Sequence, residues 1–381
     1  MRWGAKFAFH LQSGANSIHS QTATESVAIM PQCMKGWRDV TEVVRTWYHR
    51  GSATNMTTPS ANSLKQELIE GNALTALDQV EDASCKLAIT SPPYNIGKEY
   101  ERDQRLSLKN YLAWVEPIAT KMCAKVSENG SVCWQVGNFI EDGEVFPLDL
   151  YFYQMFKDAG LKLRNRIIWH YNFGLNAQNR FSGRYETLLW FSKGDNYTFN
   201  LDPVRIPQIY PGKRHSTTKG VRAGKPSGNP KGKNPSDFWT FDPAEAFLLN
   251  PIWDFPNVKA AHVEKTLHPC QFPSELVERC VLALTSPGDV VLDPFIGSGS
   301  SAVAALAHGR GAIGIDRDKR YVQLAQHRLE LLANNELPRR PLGKPVRVPT
   351  KGESVAQLPS EWLSDEAVNG GSCGTRRAKG Q

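Results

Sequence analysis

Apolar positions along the chain follow two different periods. In "CKLAIT" (85–90) and "SVCWQVG" (131–137) they run almost without a break, the pattern of strands buried on both faces. Between 108 and 127 they return every three or four residues (Leu108, Tyr111, Leu112, Val115, Ile118, Met122), which predicts a long amphipathic helix. "LKQELIEGNALTAL" (64–77) predicts a short strand and then a helix, while "RNRIIWHY" (164–171) and "ETLLWFSK" (186–193) read as strands. The helix "LDLYFYQMFKDAG" precedes these two and ends on Gly160, a usual C-terminal signal. Further on, "SELVERCVLAL" (274–284) is a helix and Val290–Leu292 a buried strand ending in Asp293. An Ala-rich helix from Ser300 to His308 precedes a strand, Gly311–Ile315, that ends in Asp316. Strands alternating with helices predict an α/β fold with a mainly parallel sheet and helices on both faces.

Two stretches break this pattern. Residues 203–236 hold eight Lys or Arg and no acid, with Pro and Gly throughout. A loop this long without structure is usually functional or disordered. From about Glu336 the chain is rich in Pro, Gly, Arg and Lys and reads as a disordered tail. The organisation predicted is an N-terminal extension with little order (1–60), a first half-domain (61–200), a basic insert (201–262), a second half-domain (263–335) and the tail (336–381). "MTTPSANSLKQ", beginning at Met56, looks like a natural start.

Composition changes this picture little. With 381 residues, 40% hydrophobic and 22% charged, the chain can bury a full core. A formal charge of +7 permits a polyanionic partner. Seven scattered cysteines with no CxxC suggest reduced thiols, a cytoplasmic setting and no structural metal site. No apolar run reaches the ~20 residues of a membrane span. The first 24 residues lack the apolar core of a secretory signal and the arginine density of an organellar one.

Chemistry concentrates in two blocks. In the second, Asp293 ends a strand, Gly297-Ser298-Gly299 turns the chain tightly and a helix begins at Ser300. The glycines permit close backbone approach to a ligand and the helix N-terminus adds donors. Asp316, at the end of the next strand, is placed for ribose hydroxyls. Asp293 would repel a dinucleotide pyrophosphate but suits the ammonium end of S-adenosylmethionine. In the first block, "AITSPPYNIG" (88–97), a short strand runs into two consecutive prolines that fix the backbone and remove two donors. Such a corner is either a rigid turn or a fixed array built on Ser91, a backbone carbonyl and Tyr94.

Together "TSPPYN" and "DPFIGSGS" resemble the catalytic and cofactor motifs of DNA amino-methyltransferases, which act on N4 of cytosine or N6 of adenine. The catalytic block comes first and the basic segment lies between the two, an order that resembles the β group of this family. "RFSGRYETLLWFSKGDNYTFN" (180–200) and "HVEKTLHPCQFPSELVERC" (262–280) agree with it, so the resemblance spans roughly Leu68 to Leu332. It implies a Rossmann-like S-adenosylmethionine-dependent sheet with an inserted target-recognition region. It also implies Ser91, Pro92, Pro93 and Tyr94 as the catalytic set: Ser91 Oγ and the Pro92 carbonyl accept the N–H bonds of the target amine, the prolines hold both, and Tyr94 stacks on an extruded base. Around the cofactor it implies Asn72, Thr90, His268, Asp293, Pro294, Phe295, Gly297, Ser298, Gly299, Ser300 and Asp316. The position of the basic run between the two blocks makes Lys213, Arg214, Lys219, Arg222, Lys225, Lys231 and Lys233 candidates for DNA phosphates, a merely solvated loop being the plainer reading. The expected partners are double-stranded DNA and a restriction endonuclease acting on the same site, with no membrane, and with the protein a monomer or homodimer.

Ser before PPY usually accompanies N4-cytosine enzymes in this family, so cytosine N4 is the expected target and adenine N6 the alternative. A protein-glutamine methyltransferase and a catalytically silent DNA-binding protein are the remaining readings. Several residues have plainer roles open to them. Asn72 sits where many relatives carry Asp and is also a turn residue. Arg184 and Glu186 read as a structural pair, with an approach to DNA as the alternative. Cys270 in "HPCQFP" resembles a cytosine-C5 nucleophile but lies on the wrong side of the cofactor block, and reads as a small cysteine, buried or half-buried, beside the cofactor.

Overall fold

The computed structural model describes residues 64–95, 105–171, 176–206, 213–215, 220–239, 258 and 262–340. The expectations for residues 1–60, for the start at Met56, for Lys219 and for the tail beyond residue 340 lie outside the described residues.

Strand β1 (Gln66–Glu70) leads to a single-turn helix α1 (Ala73–Ala76), then β2 (Cys85–Thr90), α2 (Leu108–Lys125) and β3 (Val126–Val136). A hairpin follows, β4 (Asn138–Glu141) and β5 (Glu144–Pro147), which the hydrophobic pattern does not announce. Its two-residue loop is Asp142-Gly143, both at positive φ, the usual chemistry of a tight hairpin turn. Then come α3 (Leu148–Asp158), β6 (Lys162–His170), β7 (Tyr185–Ser192) and the short edge strand β8 (Phe238–Trp239). The second half-domain supplies α4 (Ser274–Leu284), β9 (Val290–Asp293), α5 (Ser300–Ala307), β10 (Gly311–Asp316) and α6 (Lys319–Ala333).

The main sheet has the order β1-β10-β9-β2-β3-β7-β6-β8, and β7 alone among these strands runs against its neighbours. Alternation across the pleat divides the core. Leu188 and Trp190 of β7 pack with Leu276, Val281 and Val303 of α4 and α5. Leu189 and Phe191 pack on the opposite face with Tyr111, Met122, Phe152 and Phe156 of α2 and α3. Helices therefore cover both faces, as the α/β Rossmann-like expectation requires.

Strands β2 and β9 lie side by side with Ala88 opposite Leu292. From β9 the chain passes through α5 to β10, and from β2 through α2 to β3 on the other side. The two connections leave over opposite faces and open a crevice at the carboxyl ends of β2 and β9, where α/β sheets bind ligands. Both chemical blocks end at this crevice.

The basic insert is tied down at its ends. Val204, Ile206 and Trp239 are core residues, Ile206 bridges Lys233, and the Arg279 guanidinium lies 4.7 Å from the centre of the Trp239 ring. The start of the expected disordered tail is also packed: Leu337 lies against the core, Arg339 pairs with Glu278 at 2.6 Å and Arg340 with Glu275 at 2.8 Å. Composition alone missed this because both partners are carboxylates some sixty residues away, on α4. Among the described residues no helix is long and apolar enough to cross a membrane.

Candidate active site

The corner after β2 is built from both halves of the chain. Thr90, fully buried at the strand end, donates to Asp293 Oδ1 at 2.6 Å. Asp293, 1% exposed, also accepts from Phe295 N at 3.0 Å and, at Oδ2, from Ser301 Oγ at 2.5 Å. Burial outweighs these bonds and pushes its carboxyl up to about 6. The carboxylate thus fastens the end of β9 to the end of β2 and to the first turn of α5. Thr90, which the resemblance places beside the cofactor, is one half of that fastening.

Ser91 and Tyr94 come together beyond it, Ser91 Oγ lying 2.8 Å from Tyr94 OH. Tyr94 OH donates to Glu186 Oε2 at 3.0 Å, and Gln135 Nε2 donates to the same oxygen at 2.7 Å. Tyr171 OH approaches Glu186 Oε1 at 3.4 Å. Burial raises the Glu186 carboxyl above its ordinary value, against the pull of these donors. Sequence reasoning treated Glu186 as the partner of Arg184. Arg184 instead donates to Asn176 Oδ1 at 2.6 Å, and Glu186 faces the corner. Gln135 had no signal at all. Only the alignment of Trp134 beside Thr90, and of β7 beside β3, brings Gln135 and Glu186 to Ser91.

In the cofactor loop Gly297 and Gly299 have φ of +49° and +83°. A Cβ at Gly297 would lie 2.9 Å from His268 Nε2, and one at Gly299 would lie 2.9 Å from Ala325 Cβ. The left-handed turn therefore lets the loop close on the imidazole and on α6. Asp316 accepts from Gly297 N at 3.1 Å and Asp318 N at 2.8 Å, and burial raises its carboxyl. Burial also lowers His268 to about 4, so its ring is neutral near pH 7, edge-on to Tyr321 at 4.5 Å. Asn72 caps α1 by accepting from Leu74 N at 2.9 Å, which is its turn role.

One cavity of about 670 Å³ joins the two blocks. Ser91, Pro92, Pro93, Tyr94, Gln135 and Glu186 line one end, and Asn72, His268, Pro294, Phe295, Gly297, Ser298 and Asp316 line the other. Thr90, Asp293 and Ser300 are buried beneath it and Gly299 caps α5. Cys270 also borders the cavity, but it is exposed rather than buried or half-buried. Gln271 takes the inward position instead, accepting from Thr266 Oγ1 at 2.8 Å and donating to the Glu264 carbonyl at 2.9 Å.

The basic residues are not equivalent. Lys213, Arg214, Arg222 and Lys225 are exposed, with Arg214 donating to the Gly224 carbonyl. Lys231 pairs with Asp202 at 2.5 Å, and half-buried Lys233 has its ammonium shifted down by burial.

Residues 85–327, which carry both the SPPY corner and the glycine loop, match the DNA methylase family. The chain belongs to the N4/N6 family of DNA amino-methyltransferases. The methyltransferase is 41% identical to the type II methyltransferase M.BglII of Bacillus subtilis, a match covering 71% of each chain. It is 34% identical to M.ScaI of Streptomyces caespitosus, over 70% of this chain and 82% of that protein. Its fold resembles that of the cytosine-N4-specific PvuII DNA methyltransferase, with a TM-score of 0.52 and 18% identity over 72% of this chain and 93% of the other. The methyl donor is S-adenosylmethionine. The residues present fit it: Asp316 offers carboxylate oxygens suited to ribose hydroxyls, Phe295 an apolar face, and the cavity runs unbroken from these to Ser91.

Proposed function

We propose that this DNA amino-methyltransferase acts on the exocyclic N4 of cytosine at a short specific sequence in double-stranded DNA. The observation that carries the reading is Ser91, set in front of two prolines at the end of β2 and opening on the same cavity as the Gly297 loop. An exocyclic amine is a poor nucleophile because its lone pair is delocalised into the ring. Acceptors for its two N–H bonds favour a pyramidal nitrogen and turn the lone pair outward. Ser91 Oγ and the Pro92 carbonyl supply them, the prolines hold them without further ordering, and Tyr94 offers a face for a base taken out of the duplex. When bound, S-adenosylmethionine supplies a methyl on a positively charged sulfur leaving group; Asp316, Phe295, the Gly297 backbone and His268 would hold it. Lys213, Arg214, Arg222 and Lys225 are the exposed cations available to phosphates, and a restriction endonuclease of the same sequence is the expected partner.

The test is direct. The protein is incubated with labelled S-adenosylmethionine and mixed-sequence DNA, and the DNA is digested to nucleosides. N4-methylcytosine supports the reading, N6-methyladenine replaces it with the adenine alternative, and the absence of any methylated base refutes both. Ser91→Ala should slow transfer by about 100-fold while cofactor affinity stays nearly unchanged. Equal losses in both would mean that Ser91 acts on folding or on the cofactor.

A further inference from the structure

A serine hydroxyl is ambivalent, since it donates as readily as it accepts, yet a target amine demands acceptors. The hydrogen-bond chain at the corner removes that ambivalence. Glu186 Oε2 accepts from both Tyr94 OH at 3.0 Å and Gln135 Nε2 at 2.7 Å, so Tyr94 has spent its single proton there. The contact between Tyr94 OH and Ser91 Oγ at 2.8 Å must then be made by the serine proton. Both lone pairs of Ser91 Oγ are left for a guest in the cavity. A second arm repeats the logic. Gln135 spends an amide N–H on the same Glu186 oxygen at 2.7 Å, which turns its carbonyl oxygen the other way. Gln135 is 2% exposed and lines the cavity, and its Oε1 finds no hydrogen-bond partner among the described residues. A buried acceptor without a donor is costly unless a ligand supplies one. Strand register puts the two acceptors side by side on neighbouring strands, because Thr90 lies opposite Trp134, one residue before Ser91 and Gln135 respectively.

We propose that Glu186 is a positioning residue that sets the polarity of the base pocket, holding Ser91 Oγ as the acceptor that receives an amino group together with the Pro92 carbonyl, and Gln135 Oε1 as a further lone pair on the same wall, so that a ring carbonyl is turned away. This rests on the reading of the site as one for an exocyclic amine and adds what makes it selective for one. A base with a carbonyl at the same place meets only lone pairs there. Without the Glu186 carboxylate, Tyr94 and Gln135 are free to turn their N–H and O–H groups toward Ser91, and the pocket becomes a poor acceptor. Tyr94 and Tyr171 are the titratable groups that face Glu186, and both donate to it.

The test compares Glu186→Leu, Glu186→Gln and Tyr94→Phe with the unaltered protein, using single-turnover methyl transfer to a DNA substrate together with affinities for cofactor and DNA. Glu186→Leu removes the acceptor and should slow the transfer step by about 10- to 100-fold, with both affinities within about threefold of the starting value. Glu186→Gln keeps the shape and one neutral acceptor, folds as the parent does, and should fall between the two. Tyr94→Phe cuts the same chain, so its double variant with Glu186→Leu should lose less than the product of the single losses. A transfer step unchanged in Glu186→Leu, a loss confined to the affinities, or fully multiplicative losses would overturn the proposal. If the unaltered protein methylates no base amine, the functional reading itself fails, which is a separate outcome.

Discussion

Replacing Asp293 by asparagine separates what its charge does from what its hydrogen bonds do. The carboxylate is buried, and its three donors, Thr90, Phe295 N and Ser301, do not fully offset desolvation, so its pKa rises from 3.8 to about 6. An acid whose folded value is raised binds more protons in the folded state than in the unfolded one. Stability is therefore highest where Asp293 is protonated in both states and falls as the pH climbs from the unfolded to the folded value. A rise of this size corresponds to about 3 kcal/mol, of which about 1.5 kcal/mol is expressed between about pH 5 and pH 8. Asparagine keeps the shape and removes the titration, at the cost of one surplus N–H worth about 1–2 kcal/mol. The measurable quantity is the gap between parent and Asp293→Asn in denaturant unfolding at about pH 5 and about pH 8. It should shift in favour of the variant by about 1.5 kcal/mol as the pH rises, because every other titrating group is common to both proteins. A gap that stays constant, or moves in favour of the parent, would mean that Asp293 is held ionised in the fold and that desolvation does not dominate.

Two other perturbations bear on the remaining parts of the molecule. Arg222 and Lys225 are exposed in the basic insert; reversing both charges should weaken binding to all duplex sequences alike and reduce the salt slope by about 2, and a loss restricted to one sequence would point to base readout instead. Arg340→Ala removes the donor to Glu275, whose fully buried carboxyl is pushed up to about 9 by desolvation, so the loss is that of a buried group's hydrogen bonds and should lower stability by about 1–3 kcal/mol; an unchanged unfolding midpoint would mean that the segment after α6 is only laid against α4.

What the sequence determines by itself is local. Runs such as "CKLAIT" and "VVLD" report burial on both faces and are strands over those same residues, and the spacing from Leu108 to Met122 reports a helix with one buried side, which runs from Leu108 to Lys125. The two chemical blocks were legible because their prolines and glycines have few other uses, and they sufficed to indicate the family. Tertiary structure decided everything that depends on register between distant strands. Placing β9 against β2 turned Asp293 toward Thr90, 203 positions away, rather than onto the cavity wall. The alignment of β2, β3 and β7 delivered Gln135 and Glu186 to Ser91, although neither residue stands in a recognisable motif. The exposed Cys270 and the anchored Arg340 belong to the same class, since their fate depends on which neighbour takes the buried position. Hydrophobic period records which side of an element is covered, but not by what, and the polarity of this pocket is set by that second fact.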